Sequence, residues 1–176
     1  DNILFLDNLA WFQNPSNIIY IFSDHIAGFY RPVLFLSFMA DSISGAGLPF
    51  SFHMTNLILH FISAILLFYF LIALKCSRIF SFFSTLIFIV HPINVQAVSW
   101  IPGRNDILLS IFIISSFIAF IKYSKSYSSL HLFMHVFIYS MALLTKENAI
   151  VLPFLFLLYV AIFTRDGINK NYWFPA

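Results

Sequence analysis

From residue 52 onward the chain is a succession of apolar runs with short polar breaks, at about 52–74, 79–98, 105–121, 130–145 and 148–163. Runs of this length and uniformity predict helices, so the expected fold class is all-α: a polytopic membrane helix bundle of about five transmembrane or re-entrant helices. The shorter runs fall at or below the ~17 to 25 residues a helix needs to cross the hydrocarbon core. Short or partly re-entrant helices are therefore expected beside the break from His91 to Arg104, where non-helical backbone is tolerable only if it lines a cavity or is buried in protein. Residues 1–51 are more polar and read as a folded surface segment. Within them, Ile18-Ile19-Tyr20-Ile21-Phe22 predicts a short interfacial helix. A second juxtamembrane helix is expected from Arg31-Pro32 to Met39, with Pro32 in its first turn, where the missing N–H costs nothing. The organisation is thus a 1–51 loop carrying juxtamembrane helices and a 52–176 helix bundle.

Charge then sorts the breaks onto two sides. Alternate breaks collect Lys75, Arg78, Lys122, Lys125, Arg165 and Lys170 with the single acid Asp166. The others hold Asp1, Asp7, Asp24, Asp41, Asp106 and Glu147 with only Arg31, Arg104 and Lys146. By the positive-inside rule the first side is cytoplasmic, and chemistry that needs carboxylates belongs on the extracytoplasmic side. A composition that is 61% hydrophobic, 20% aromatic and 9% charged excludes an ordinary soluble globular domain and implies membrane lipid as a partner. The net charge of +2 comes from scattered pairs, not a basic face, so no nucleic-acid partner is expected. Because residue 1 already lies in the extracytoplasmic loop, a preceding transmembrane helix is expected, with further helices or repeats after Trp173.

Several residues could carry chemistry. His53, Asn56, His60 and Ser63 fall on one face of the first apolar run, where they either hydrogen-bond neighbouring helices or, through His53 or Asn56, touch a substrate phosphate. The block from His91 to Asp106 packs two prolines, a glycine and several polar types between two apolar runs. Its Arg104 offers a planar fork suited to a lipid phosphate, with His91 as second partner; alternatively Arg104 pairs with Asp106 as structural glue. Lys146 is a further phosphate cation on the same side, and Glu147 could pair with it or orient an acceptor. Asp1 at the rim of a hydrophobic bundle could serve as a general base. His131 and His135 have metal-compatible spacing but no third ligand nearby, so no metal site is expected; the sequence leaves a dependence on divalent metal open.

The order Asp1-Asn2, Tyr30-Arg31-Pro32, Phe52-His53-Met54-Thr55-Asn56 to His60, His91-Pro92 through Trp100 to Gly103-Arg104-Asn105-Asp106, and Leu144-Thr145-Lys146-Glu147 resembles the membrane module of the transmembrane and tetratricopeptide-repeat O-mannosyltransferases, members of the GT-C superfamily. The resemblance implies a multi-span enzyme that takes a sugar from a polyprenyl-phosphate donor, typically dolichyl phosphate mannose, and passes it with inversion to a Ser or Thr hydroxyl of a protein. Transfer in this family occurs on the lumenal or external face, which implies the endoplasmic reticulum membrane in a eukaryote and the plasma membrane in a prokaryote. Asp1 then matches the first member of the family's acidic pair and is the expected catalytic base, with Arg104, His91 and Lys146 on the donor phosphate and Arg31, His53, Asn56, Asp106 and Glu147 in support. Asn2 and Gln96 stand where the family commonly has acids. Two other readings remain: a non-catalytic or divergent scaffold of the same fold, and a transporter of a lipid-linked substrate.

Overall fold

The computed structural model describes residues 8–26 and 28–163. Among them the chain is helical, and the only β-type pairing is an isolated bridge between Ile26 and Phe29. Three helices come from the first segment: α1 (Leu9–Phe12), α2 (Ile18–Ser23) and α3 (Pro32–Ser44). They are followed by α4 (Pro49–Ala73), α5 (Arg78–Val90), the short α6 (Val95–Ser99), α7 (Arg104–Ser126), α8 (Ser129–Leu143) and α9 (Leu152–Phe163). Prolines set several starts, since Pro32 and Pro49 each occupy the first helical turn, where a fixed φ helps and no N–H is needed. Ser77 caps α5 by accepting a hydrogen bond from the Phe80 N–H.

At 25 residues, α4 is about 37 Å long and crosses a ~30 Å hydrocarbon core with room to tilt. The helical stretch Ile101–Ser126 is also long and apolar enough to span. A third span exists if α5 and the Pro92–Ser99 segment count as one path, which bends by 49° at His91. The remaining apolar helices, α8 and α9, are shorter, as the lengths of their runs led one to expect. The break itself is two 3-10 turns, Pro92–Asn94 and Ile101–Gly103, flanking α6. Gly103 is needed there because a Cβ would come within 2.8 Å of the Gln96 carbonyl oxygen and 2.9 Å of that of Ala97, so α6 folds back against the start of α7.

The first segment does not float above the bundle. Phe12, Ile21, Leu34, Phe35 and Phe38 from α1 to α3 share one buried cluster with Phe52 of α4 and Leu108 of α7. A second cluster joins Leu109 of α7 to Ala142, Ala149, Leu152 and Phe156. Outward faces are strongly apolar, with Ile79, Phe82, Phe83, Ile87 and Val90 of α5 all exposed. Such a surface is stable against lipid, and the fold is an all-α membrane bundle.

Candidate functional site

The sequence carries three cationic side chains on the side read as extracytoplasmic, and the fold gathers all three at one end of the bundle. They differ in burial. Arg104 opens α7 and is 0% exposed. Its Nε donates to Asn56 Oδ1 at 2.6 Å, Nη1 to the backbone oxygen and Oγ of Ser37 at 3.2 Å each, and Nη2 to Asp41 Oδ2 at 2.5 Å and to the Phe52 carbonyl at 2.9 Å. The guanidinium also stands 4.9 Å from the Phe38 ring centroid. A guanidinium has five N–H groups, and these contacts use them all. The network continues outward, with Thr55 Oγ1 donating to Asp41 Oδ1 at 2.8 Å and Asn56 Nδ2 donating to the carbonyls of Val98 and Trp100. One side chain thus ties α3, α4, α7 and the broken segment together.

This arrangement differs from both sequence readings of Arg104. No N–H is left over for a phosphate, and the counter-charge is Asp41, not Asp106. Asp41 was visible in the sequence only as one acid among several. The missed signal is positional: Leu34, Phe38 and Asp41 lie on one helical face, so a carboxylate sits on the apolar stripe of α3. Burying such a group costs several kcal/mol unless it is paired, which demands a cation from another helix.

Arg31 and Lys146 are less enclosed, at 11% and 18% side-chain exposure, and their partners lie at the surface. Arg31 Nη2 pairs with Glu147 Oε1 at 2.8 Å, and Lys146 Nζ pairs with Asp106 Oδ1. The carboxylate partners are largely open to solvent, at 69% and 52% side-chain exposure. Lys146 and Glu147, adjacent in sequence, therefore point to separate partners instead of to each other. The backbone bond from Val33 N–H to the Leu144 carbonyl fastens the start of α3 to the turn that carries Lys146. The Glu147 carboxyl is held below its usual range, first by its own backbone N–H and then by Arg31.

The other expected site residues fall elsewhere. His91 is exposed at the bend, where its Nδ1 accepts from the Ile93 N–H and caps the following turn; it forms no hydrogen bond with Arg104 or Lys146. His53 is exposed on the first turns of α4, while the rest of its stripe faces inward: His60 Nε2 bonds the Ile89 carbonyl at 3.3 Å and Ser63 Oγ bonds Ser110 Oγ at 2.8 Å. Those residues follow the interhelical reading. His131 and His135 bond Ser126 and Ser116 respectively, and no cluster of metal-ligating side chains occurs among the described residues. Asp1 lies outside the described residues. Asp24, another carboxylate of the first segment, borders an open cavity of about 280 Å³ with Trp11, Tyr20 and His25.

Comparison with known proteins adds a chemical context. The chain is 31% identical over 110 residues to Protein O-mannosyl-transferase TMTC3 of Mus musculus, a match covering 58% of this chain and 11% of that protein. It is 30% identical over 118 residues to Protein O-mannosyl-transferase TMTC1 of Homo sapiens, covering 58% of this chain and 13% of that protein. Against Protein O-mannosyl-transferase TMTC2 of Mus musculus the identity is 35% over 83 residues, covering 46% and 10%. The resemblance read from the residues is borne out by these similarities, and the chain spans only a small part of the length of the relatives it matches. No family model matches the chain, and no solved structure does.

Proposed function

We propose that this chain is part of the membrane module of a multi-pass glycosyltransferase. The enzyme moves mannose from a polyprenyl-phosphate donor to a Ser or Thr hydroxyl of a protein, with inversion, on the lumenal or external face. One observation carries the reading: the fold brings Arg31 and Lys146, 115 residues apart in sequence, to the same end of the bundle, each ion-paired with a solvent-open carboxylate, Arg31 also lying against the Phe29 ring. The cation side chains are 11% and 18% exposed, but each carboxylate faces solvent, and a pair screened in this way is worth on the order of 1 kcal/mol. A lipid phosphate, singly charged in the donor and gaining a second charge as its bond to the sugar breaks, offers each cation a charge-assisted partner for which Asp106 and Glu147 exchange at little cost. Stabilising the departing phosphate in this way is electrostatic preorganisation of the leaving group. The names of the similar proteins, protein O-mannosyl-transferases, support mannose as the sugar and a protein as the acceptor.

In this assignment Arg104 holds the site's frame and Lys146 and Arg31 hold the phosphate, with His91 and His53 available at the same end. Asp1 is the base that takes the acceptor proton as the hydroxyl oxygen attacks the sugar's anomeric carbon and the bond to phosphate breaks. The membrane is that of the endoplasmic reticulum in a eukaryote or the plasma membrane in a prokaryote. A transporter would place charged groups near the middle of its helices. Here α4 contains no Asp, Glu, Lys or Arg, and those of α7 lie within its first three and last five residues, which favours head-group chemistry at one face.

The test is sugar transfer by the full-length protein in lipid nanodiscs. Asp1→Asn is expected to leave donor binding intact and lower transfer by ~10² or more, the loss that removing a general base entails. Parental transfer by Asp1→Asn would move the base to Asp24 or Glu147, and absence of transfer by the parent to any hydroxyl peptide would sink the reading as a whole.

A further inference from the structure

Beneath the Arg31–Glu147 pair lies a small cavity of about 100 Å³. Its walls are apolar, formed by Leu34, Phe35 and Phe38 of α3 and by Pro102, with Phe29 and Trp100 as its more exposed lining residues. Two further lining residues, Arg31 and Asn105, each bury a polar atom that has no hydrogen-bond partner among the described residues: the Nε of Arg31 and the Oδ1 of Asn105. Asn105 is 8% exposed, and an orphaned buried group of this kind costs about 1–3 kcal/mol. The two orphans have opposite senses. Arg31 Nε is a donor and Asn105 Oδ1 an acceptor.

A single hydroxyl satisfies both, because its oxygen accepts from Arg31 while its proton goes to Asn105. Size narrows the choice. An apolar cavity of about 150 Å³ is enough for a benzene ring, so 100 Å³ takes less than a ring. A pyranose with its hydroxyls is larger than benzene and would also strand most of those hydroxyls against phenylalanine. An isoprene unit of the lipid carrier fits by volume but has nothing to donate to Asn105. A threonine side chain supplies one hydroxyl for the two orphans and one methyl group for the apolar wall. Serine supplies the hydroxyl alone and leaves that wall unfilled.

We infer that this cavity is a subsite for a threonine side chain that flanks the reacting residue of the acceptor polypeptide, with Arg31 and Asn105 reading its hydroxyl and the α3 aromatic wall reading its methyl group. The identity of the occupant rests on the transferase reading, since that reading supplies a hydroxyl-bearing polypeptide as substrate. Arg31 then has two tasks at different atoms: Nη2 pairs with the Glu147 carboxylate, and the buried Nε is left for the acceptor.

The test uses binding and not transfer, so the two readings fail separately. N-acetyl-threonine methylamide and its serine and valine counterparts are titrated onto the full-length protein in lipid nanodiscs, and saturation-transfer NMR reports which probe binds. Valine has the shape of threonine without the hydroxyl. The threonine probe is expected to bind about tenfold or more tighter than the valine probe, because a site built around a hydroxyl rejects the analogue that lacks it. The serine probe is expected to be weaker than threonine, and the threonine methyl protons should receive the strongest saturation. Asn105→Leu should erase the preference for threonine over valine. Equal binding of threonine and valine, serine binding as well as threonine, an unchanged preference in Asn105→Leu, or no binding by any probe overturns the inference. Discrimination without sugar transfer would leave the subsite standing and remove the transferase reading; transfer without discrimination would do the reverse.

Discussion

Arg104 and Lys146 stand at the same end of one bundle, carry the same charge and are each paired with an aspartate, yet the fold uses them differently. Arg104 is sealed among Ser37, Asp41, Phe52 and Asn56, with every N–H donated to protein. Lys146, with 18% of its side chain exposed, holds one carboxylate that is half open to solvent. A cation can bind a substrate phosphate only with donors to spare, or with donors held by partners that leave cheaply. Burial therefore decides which of the two is architecture and which is available for chemistry, and residue type does not.

The largest effects are expected where that sealed network is cut. Asp41→Ala leaves the Arg104 guanidinium buried without its counter-charge, and breaking one partner of such a pair typically costs about 3–5 kcal/mol. The full-length protein carrying it should lose its folded population in detergent, read as early aggregation on size-exclusion chromatography and a large drop in thermal midpoint. Arg104→Lys keeps the charge but cannot reproduce bonds to four residues at once, and is expected to fall between the parent and Asp41→Ala. A thermal midpoint within a degree or two of the parent for Asp41→Ala would mean that Arg104 is not anchored as described.

At the rim the expectation reverses. Lys146→Met removes a surface pair worth about 0–1 kcal/mol, so the thermal midpoint should scarcely move. Binding of polyprenyl-phosphate mannose should weaken by roughly 10- to 100-fold, the value of a hydrogen bond to a charged group at about 1.5–3 kcal/mol. Titration calorimetry in nanodiscs separates the two quantities. Parental affinity with parental stability would remove Lys146 from the phosphate site.

The smallest effect concerns pH. The Glu147 carboxyl is held below its usual range, so its contacts with its own N–H and with Arg31 contribute stability that is fully present above the ordinary carboxylate pKa of about 4.3. That contribution is lost as pH falls through the lowered folded value. Since Glu147 is largely exposed, the loss should be slight, and Glu147→Gln should remove the corresponding part of the acid dependence of the thermal midpoint.

The elements were legible in the sequence because their signals are local. Apolar runs mark α4, α5, α7, α8 and α9, while Pro32 and the Ile18 to Phe22 patch mark two helices of the first segment. The break at His91 was legible for the same reason, since prolines and a glycine advertise it. Pairings were not legible, because nothing near Asp41 says that its partner lies 63 residues away, or that Lys146 reaches back to Asp106 across 40. Asp106, close to Arg104 in sequence, was the natural partner to expect. It lies instead on the opposite side of the α7 start, where the turn after α8 brings Lys146 to it.

The claim that Arg104 is architecture and not a phosphate ligand is tested most directly by replacing the whole pair. Burying a matched apolar pair in place of an ion pair is often neutral or stabilising, so the double variant Asp41→Leu with Arg104→Met should recover much of the stability that either single change loses. The measurement is the affinity of that folded double variant for polyprenyl-phosphate mannose. An affinity within about threefold of the parent is the predicted result; a folded double variant that has lost donor binding, while Lys146→Met retains it, would contradict the account.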